Sequence, residues 1–463
     1  MKLVDLERLY LIFPVWIQNI IVGIEGWRKH RIKFGKGYEK IYNDVMKRYN
    51  FDRYQLLKYQ ETRLRRFLTI ASTSKYWINK FTEYDVDINA IDIWNEIKKL
   101  PIMTKQDAKK HNLAIHTKLN LRKNCLRVST SGTTGGGLSF WRTVDGYREQ
   151  WATWWRYWGW HGINQNDLCG NFHGRAVLHS IGRNSPPFWR MDRAGKQLLF
   201  SVHHIKAENV RYYVGALEKY NVKWLTGPPS IISLLASYIL DQNLGSISSI
   251  KLIATGAENL YPHQLDIIKK AFRAPVCQHY GLGESVANFS QCEAGNLHVD
   301  EDFSYVEFIP FEEGNGNYKV VGTGWVNPAF PLIRYDTGDI VSEPIKKCSC
   351  GRKGRIINQI DGRAQDFIIL RDGRRITRLN FLFKDLTNIR EAQLYQNLPG
   401  SLVIRVVKGE MYDKFKEESS LRKNAKLRLG EDMDIKIEYV DKISKSKMGK
   451  LQFVVSEIKN IDS

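Results

Sequence analysis

The stretch STSGTTGGGLSF, Ser129 to Phe140, is the part of this sequence best equipped for chemistry. Its glycines allow a backbone to approach phosphate oxygens, and its hydroxyls and amides can donate hydrogen bonds to them. Gly132 and Gly137 have Walker spacing, but Leu138 stands where that motif needs its lysine, so the loop is not a Walker loop. Alone, such a run also fits a flexible surface loop; its place between two apolar β-like runs favours phosphate. A second group is Cys292, His298, Cys348 and Cys350. If the two segments meet, they form a Cys₃His set suited to structural Zn²⁺, since thiolate and imidazole are preferred ligands. The single residue between Cys348 and Cys350 is tighter than in common knuckles, and separate unliganded thiols are the alternative.

Elements must hold these groups in place. Residues 40–125 read as helical, with a start signal at Thr104 to Asp107. From Leu126 the texture changes to short β-rich runs joined by glycine loops and helices. VKWLTG precedes a helix from Pro229, IKLIATGAE precedes a helix from Tyr261, and APVCQHYGLGE follows. That alternation predicts an α/β fold with parallel strands and crossover helices. Further on, DFIILRDGRRITR reads as a hairpin turning on two residues, Asp372 and Gly373. A boundary near Asp361 follows, with a small α+β domain behind it. Trp151, Trp154, Trp155 and Trp158 share one helical face, which reads first as a core stripe, with an apolar substrate pocket or nucleobase stacking as alternatives.

Composition bounds the function classes. The chain has 463 residues, 43% of them hydrophobic and 26% charged, enough for two or three domains with a sizeable core and unlike a disordered tail, a collagen or a multi-span membrane protein. Six cysteines are too sparse for a disulfide scaffold and suit a reducing compartment. Seventy Lys and Arg against 49 Asp and Glu give +21. This charge reads either as codon bias or as a preference for phosphate ligands, acidic lipids or an acidic polymer. Specific nucleic-acid binding is disfavoured, because the basic residues are scattered and no recognition signature is present. The apolar stretch Leu9 to Ile24 is broken by Pro14, Gln18 and Asn19 and reads as an amphipathic helix, followed by the basic run Arg28 to Lys36. Core packing is its first reading, and docking of residues 1–36 on an anionic membrane its second.

STSGTTGG closely resembles the phosphate loop of the adenylate-forming superfamily of acyl-CoA ligases, peptide-synthetase adenylation domains and luciferases. Further superfamily-like motifs follow in the family's order: TGAENL from Thr255, YGLGE from Tyr280, RYDTGD from Arg334, DGRAQD from Asp361 and SKSKMGK ending at Lys450. Within the superfamily the chain resembles the phenylacetate-coenzyme A ligase branch and its CapK-like capsular-polysaccharide relatives, through FPVWIQN, TGPPS, CSCGR and GKLQFVVSEIK. The resemblance implies a large N-terminal adenylate-forming domain of mixed β-sheets and helices and a small mobile α+β C-terminal domain. The expected division is a helical part at 1–124, a nucleotide-binding core at 125–361 and the small domain at 362–463.

The resemblance also implies an ATP-dependent ligase that joins a carboxylic acid to the α-phosphorus of ATP and passes the acyl group to coenzyme A, with an amine or sugar acceptor as the variant. Ser129, Thr130, Ser131, Gly132, Thr133, Thr134 and Gly135 would cradle the β- and γ-phosphates, Thr133 and Thr134 among the catalytic groups. Glu284 would associate with Mg²⁺. Tyr280 and Gly281 would lie by the adenine with Gly256, Ala257 and Glu258. Asp339 and Arg363 would bind the ribose, Lys450 would bridge carboxylate and α-phosphate, and Asp366 would be the hinge. Gly283 stands where the family usually carries Ser or Thr, which removes a hydroxyl from the phosphate site. This departure keeps open a different class of reading, a basic scaffold that binds membrane or polymer without turnover. The expected location is the cytoplasm, with the inner membrane face as a place of attachment.

Overall fold

The computed structural model describes residues 10, 12–118, 124–130, 137–173, 178, 185–311, 316–342, 344–345, 348–363, 367–376, 379–383, 386, 388–410, 412–445 and 451–458. The fold is α/β with mixed sheets. Two compact units are present: Met1–Arg28 with Gln165–Gln278 and Asp361–Ser463, and Lys29–Asn164 with His279–Ile360.

In the first unit the strands Leu252–Gly256, Trp224–Gly227, Cys169–Asn171 and Gln197–Phe200 run parallel in that order, and Trp189–Asp192 closes the edge antiparallel. Leu252–Gly256 and Trp224–Gly227 are buried throughout, so they read as continuous apolar runs instead of alternating ones. The helices Pro229–Asp241 and Pro262–Phe272 each begin with proline, whose missing N–H costs nothing in the first turn. Ile232, Leu235, Leu225, Ile253 and Ile268 fill the space between helices and strands.

The chain after Asp361 has its own core beneath a sheet ordered Asp434–Tyr439, Ser401–Lys408, Ile389–Gln396, Val454–Ser456. The helix Lys414–Leu429 packs on this core with Leu421, Ala425 and Leu429, and Asp413 caps it by accepting from the Lys416 amide. The hairpin here differs from expectation. Ile368 and Ile369 pair with Ile376 and Arg375, and the Leu370 amide donates to the Arg374 carbonyl, which leaves a loop of Arg371, Asp372 and Gly373. The reason is local: Asp372 accepts from the Arg374 amide, and Gly373 takes the left-handed conformation at φ +84°, a combination that closes three residues.

In the second unit the strands Tyr305–Pro310, Asn317–Thr323 and Tyr335–Ser342 form an antiparallel sheet. The expected helical stretch contains Tyr38–Arg48, Arg53–Ala71, Lys75–Glu83, Ile93–Lys99 and Lys105–Lys110. Thr104 starts the last of these with a reciprocal capping box to Asp107. Its long helix Val144–Trp160 is held by buried charge: Arg156 donates to Asp300 and Asp302, while Arg48 pairs with Glu149 and Asp302. Burial works against the Asp302 carboxylate, but the two guanidiniums outweigh it and bring its pKa to about 2. Among the described residues no helix is long and apolar enough to cross a membrane.

Candidate functional site

The phosphate-loop segment leaves one strand and returns on its antiparallel partner. Cys125–Ser129 pairs with Ser139–Thr143 in a register that sets Ser129 opposite Ser139, and the Ser139 hydroxyl donates to Ser129 Oγ at 3.0 Å. Thr130 continues the closure, its amide donating to Leu138 O at 2.9 Å and its Oγ1 accepting from the Leu138 amide at 3.0 Å. Gly137 must be glycine, since a Cβ there would lie 1.7 Å from the Thr130 carbonyl oxygen. Ser131, Gly132, Thr133, Thr134 and Gly135 lie outside the described residues.

Tyr280 and Gly281 end the strand Val276–Gly281, and Glu284 follows after one turn. Tyr280 Oη donates to Asp339 Oδ2 at 2.7 Å, which brings the YGLGE and RYDTGD motifs together. Tyr280 also stacks on Phe289 at 4.7 Å, so its ring has a fixed face. Asp339 lies in the strand Tyr335–Ser342, buried, beyond Gly338 at φ +73°. Glu284 is buried and accepts a long bond, 3.5 Å, from Tyr335 Oη. The arginine of RYDTGD is structural: Arg334 grips Glu307 with two bonds and donates to Lys98 O and Leu100 O.

One residue here escaped the motif reading. Arg142 is buried, donates to Gln150 Oε1 at 2.6 Å and also bonds the Ser285 hydroxyl. Burial lowers its pKa to about 10, and the Glu284 carboxylate counters in part, so the guanidinium remains a cation at neutral pH. It holds Ser285 at φ +60°, a costly conformation for a side chain, and so fixes the backbone that presents Glu284. Nothing in a strand reading SFWRT marks that duty; only burial reveals it.

Gly283 lies against Thr130, whose Cγ2 would be 3.0 Å from a Cβ at that position. The Trp stripe divides. Trp155 and Trp158 are buried, whereas Trp151 and Trp154 are half-buried, and Trp154 Nε1 donates to Asn288 Oδ1 at 3.0 Å with its ring 5.4 Å from His279. A Cβ on Gly281 would touch both Asn288 Oδ1 and Trp154 Nε1, so the glycine permits this aromatic wall beside Tyr280.

In the other unit Gly256 ends the strand Leu252–Gly256 and Ala257 sits at φ +69°. This turn projects the Glu258 carboxylate between two segments. Oε2 accepts from the Ser230 amide at 3.4 Å, and Oε1 accepts from the Leu451 amide at 3.1 Å. Tyr261 packs on Phe453 at 4.8 Å, and a Cβ on Gly362 would lie 3.3 Å from Asn259 Nδ2. The segment that follows Lys450, through Leu451 and Phe453, therefore bears on the TGAENL loop. Lys450 and Asp366 lie outside the described residues, and Arg363 ends the strand Ile360–Arg363.

The cysteine pattern closes into a cluster. Ligand atoms of Cys292, His298, Cys348 and Cys350 all lie within 4.8 Å of one another. The Cys292 and Cys348 sulfurs are 3.6 Å apart, and Cys350 Sγ is 3.3 Å from His298 Nε2. His298 stands on Leu297–Val299, paired antiparallel with Asn288–Gln291 and Ile356–Ile357. The Asn296 side-chain amide donates to Cys348 Sγ and the Arg352 backbone amide to Cys350 Sγ, contacts suited to thiolates. Burial pushes the Cys292 thiol up to about 11. Burial also acts on Cys348, but hydrogen bonds from the Cys350 backbone, Asn296 and His298 bring it down to about 6.

Comparison with known proteins gives a consistent result. Residues 368–457 match the CapK C-terminal domain family. Protein CapK of Staphylococcus aureus is 28% identical over 474 aligned positions, covering 98% of this chain and 100% of that protein. Phenylacetate-coenzyme A ligase of Thermus thermophilus is 33% identical over 102 residues, 20% of this chain and 23% of that protein. Among solved structures, 2-hydroxyisobutyryl-CoA ligase in the postadenylation state with an acyl-AMP bound matches at a TM-score of 0.67 and 17% identity, over 86% of this chain and 89% of that one.

Proposed function

This chain is a homologue of protein CapK with the fold of the adenylate-forming acyl-CoA ligases, and on that premise we propose that it activates a carboxylic acid as its acyl-AMP at the expense of ATP. A carboxylate oxygen bonds to the α-phosphorus, and the bond from that phosphorus to the bridging oxygen breaks, releasing pyrophosphate. A thiolate of coenzyme A then attacks the acyl carbon and AMP leaves. Two anions meet in the first step, so positioning and charge neutralisation supply most of the rate.

The observation that carries the reading is the bond from the Leu451 amide to Glu258: it ties the segment holding Lys450 to a nucleotide-site motif 193 residues away. By its motif, the Lys450 ammonium would stabilise the charge that develops between the reacting carboxylate and α-phosphate. Ser129 and Thr130 with the residues that follow would bind phosphates, Tyr280 would lie by the base, and Asp339 and Arg363 would bind ribose hydroxyls. Glu284, a buried carboxylate carried on a braced turn, fits Mg²⁺, which would neutralise phosphate charge when bound. The half-buried aromatic wall at Trp154 favours an acid with an apolar body. The four-residue Cys/His cluster would hold a structural Zn²⁺. The CapK-like resemblance extends the proposal to surface-polysaccharide synthesis, where an amine or sugar is the variant acceptor.

The test is ATP-dependent pyrophosphate release with Mg²⁺ across aryl, fatty, hydroxy and amino acids. One acid class should drive release, and Lys450→Ala should abolish it while leaving ATP binding nearly intact, because the charge is needed mainly in the transition state. Silence across the panel with ATP still bound would instead favour the scaffold reading that Gly283 leaves open.

A further inference from the structure

The helix Val15–Phe34 presents its faces in an order opposite to that of an ordinary surface helix. The side turned to the strand Trp189–Asp192 is polar. Gln18 is buried there, accepting from Arg190 Nε at 2.8 Å and donating to Phe13 O at 2.9 Å, and Asn19 Oδ1 accepts from the Met191 amide at 3.4 Å. Gly26 comes so close that a Cβ would lie 2.0 Å from an Asp192 carboxylate oxygen. These contacts fix the rotation of the helix and leave the apolar side outward. Trp16 is 65% exposed, Ile20 53%, Ile24 64% and Trp27 54%, and Ile12, which precedes the helix beyond Pro14, is 76% exposed.

Steps of four, four and three residues place Trp16, Ile20, Ile24 and Trp27 in one stripe about 16 Å long on this helix. Single exposed apolar residues are ordinary, but a contiguous stripe of this size marks a surface that something covers. The sequence that follows, WRKHRIKFGK from Trp27 to Lys36, adds Arg28, Lys29, Arg31, Lys33 and Lys36 with no acidic residue among them. Tryptophan at either end of an apolar stripe, continued by cations, suits the boundary between acyl chains and anionic headgroups. An anionic lipid surface meets both features at once, with acyl chains for the stripe and headgroup charge for the basic run. We propose that this face docks on an anionic lipid bilayer, the helix lying in the interfacial plane.

The experiment is co-sedimentation of the full chain with vesicles of phosphatidylglycerol mixed with phosphatidylcholine, and with phosphatidylcholine alone. Binding should occur with the anionic vesicles, weaken with salt and be poor on the neutral ones. Trp16→Glu and Ile20→Glu should each lower the partition coefficient about tenfold or more, because a carboxylate keeps the side chain in water. Leu427→Glu, at an exposed site on the helix Lys414–Leu429, should leave binding unchanged. Melting temperatures of all three variants should match the parent, which separates lost docking from lost folding and from any question of catalysis. Absence of binding, or equal binding by Ile20→Glu and Leu427→Glu through net charge alone, overturns the proposal. A dimer that Ile20→Glu dissociates, without vesicle binding, overturns it in favour of a second copy.

Discussion

At the scale of single residues, the departure at Gly283 becomes a question of space. A serine there would supply the hydroxyl usual in the family, but its Cβ would sit 3.0 Å from the Thr130 methyl, so one of them must give way. Thr130 cannot easily do so, since its hydroxyl and amide are both bonded to Leu138. Gly283 and Thr130 therefore form a matched pair. Gly283→Ser should lower acid-dependent pyrophosphate release and melting temperature together, and Gly283→Ser combined with Thr130→Ser should recover both, because only the methyl obstructs. A coupling energy of about 1 kcal/mol is expected from the cycle. Strictly additive effects would show that the two side chains do not share the space. The motifs spelled out Thr130, Gly283 and Glu284 in sequence, whereas the duty of Arg142 and the contact between Thr130 and Gly283 arise only through packing, which no local pattern records.

At the scale of elements, chain connectivity was legible and orientation was not. The runs before Pro229 and Tyr261 became parallel strands followed by helices, because buried β-branched and aliphatic runs leave the backbone little choice. The loop at Asp372 came out one residue longer than expected, since Asp372 and Gly373 serve equally well in a two- or three-residue turn and register decides between them. The helix Val15–Phe34 was readable as amphipathic, but which side would face inward depended on Arg190 and Asp192, some 170 residues away. The Cys/His cluster has the same dependence: Cys292 and His298 meet Cys348 and Cys350 only because Leu297–Val299 pairs with Ile356–Ile357. If it holds the proposed zinc, close to one zinc per chain should be measurable in protein purified without chelator. Removing the metal, or replacing Cys348 by alanine, should lower the melting temperature, because a metal there would join segments far apart in sequence. Zinc-free protein with an unchanged melting curve would refute the site.

For the whole molecule, stability should be sensitive to mild acid for a reason that the +21 charge does not supply. His263 is buried in the helix Pro262–Phe272, with Tyr261 and Phe383 about 6 Å away and no hydrogen-bond partner for Nδ1 among the described residues. Burial lowers its pKa from 6.5 to about 4. Between those values the unfolded chain binds a proton that the folded chain does not, so unfolding takes up a proton and acid favours it. The contribution is fully present above pH 6.5 and is lost as pH falls toward 4. At 1.36 kcal/mol per pKa unit, about 2 kcal/mol should go between pH 7 and pH 5. Carboxylates titrating in the same range act on parent and variant alike, so the difference between their two losses isolates His263. His263→Gln should start less stable at pH 7, since the glutamine amide is buried at the same place, yet lose less on acidification than the parent does. Equal losses in parent and variant, measured by denaturant unfolding at pH 7 and pH 5, would mean that His263 takes up its proton without unfolding. The loss would then come from other groups, among them His116, His161 and His203, whose pKa values burial also lowers.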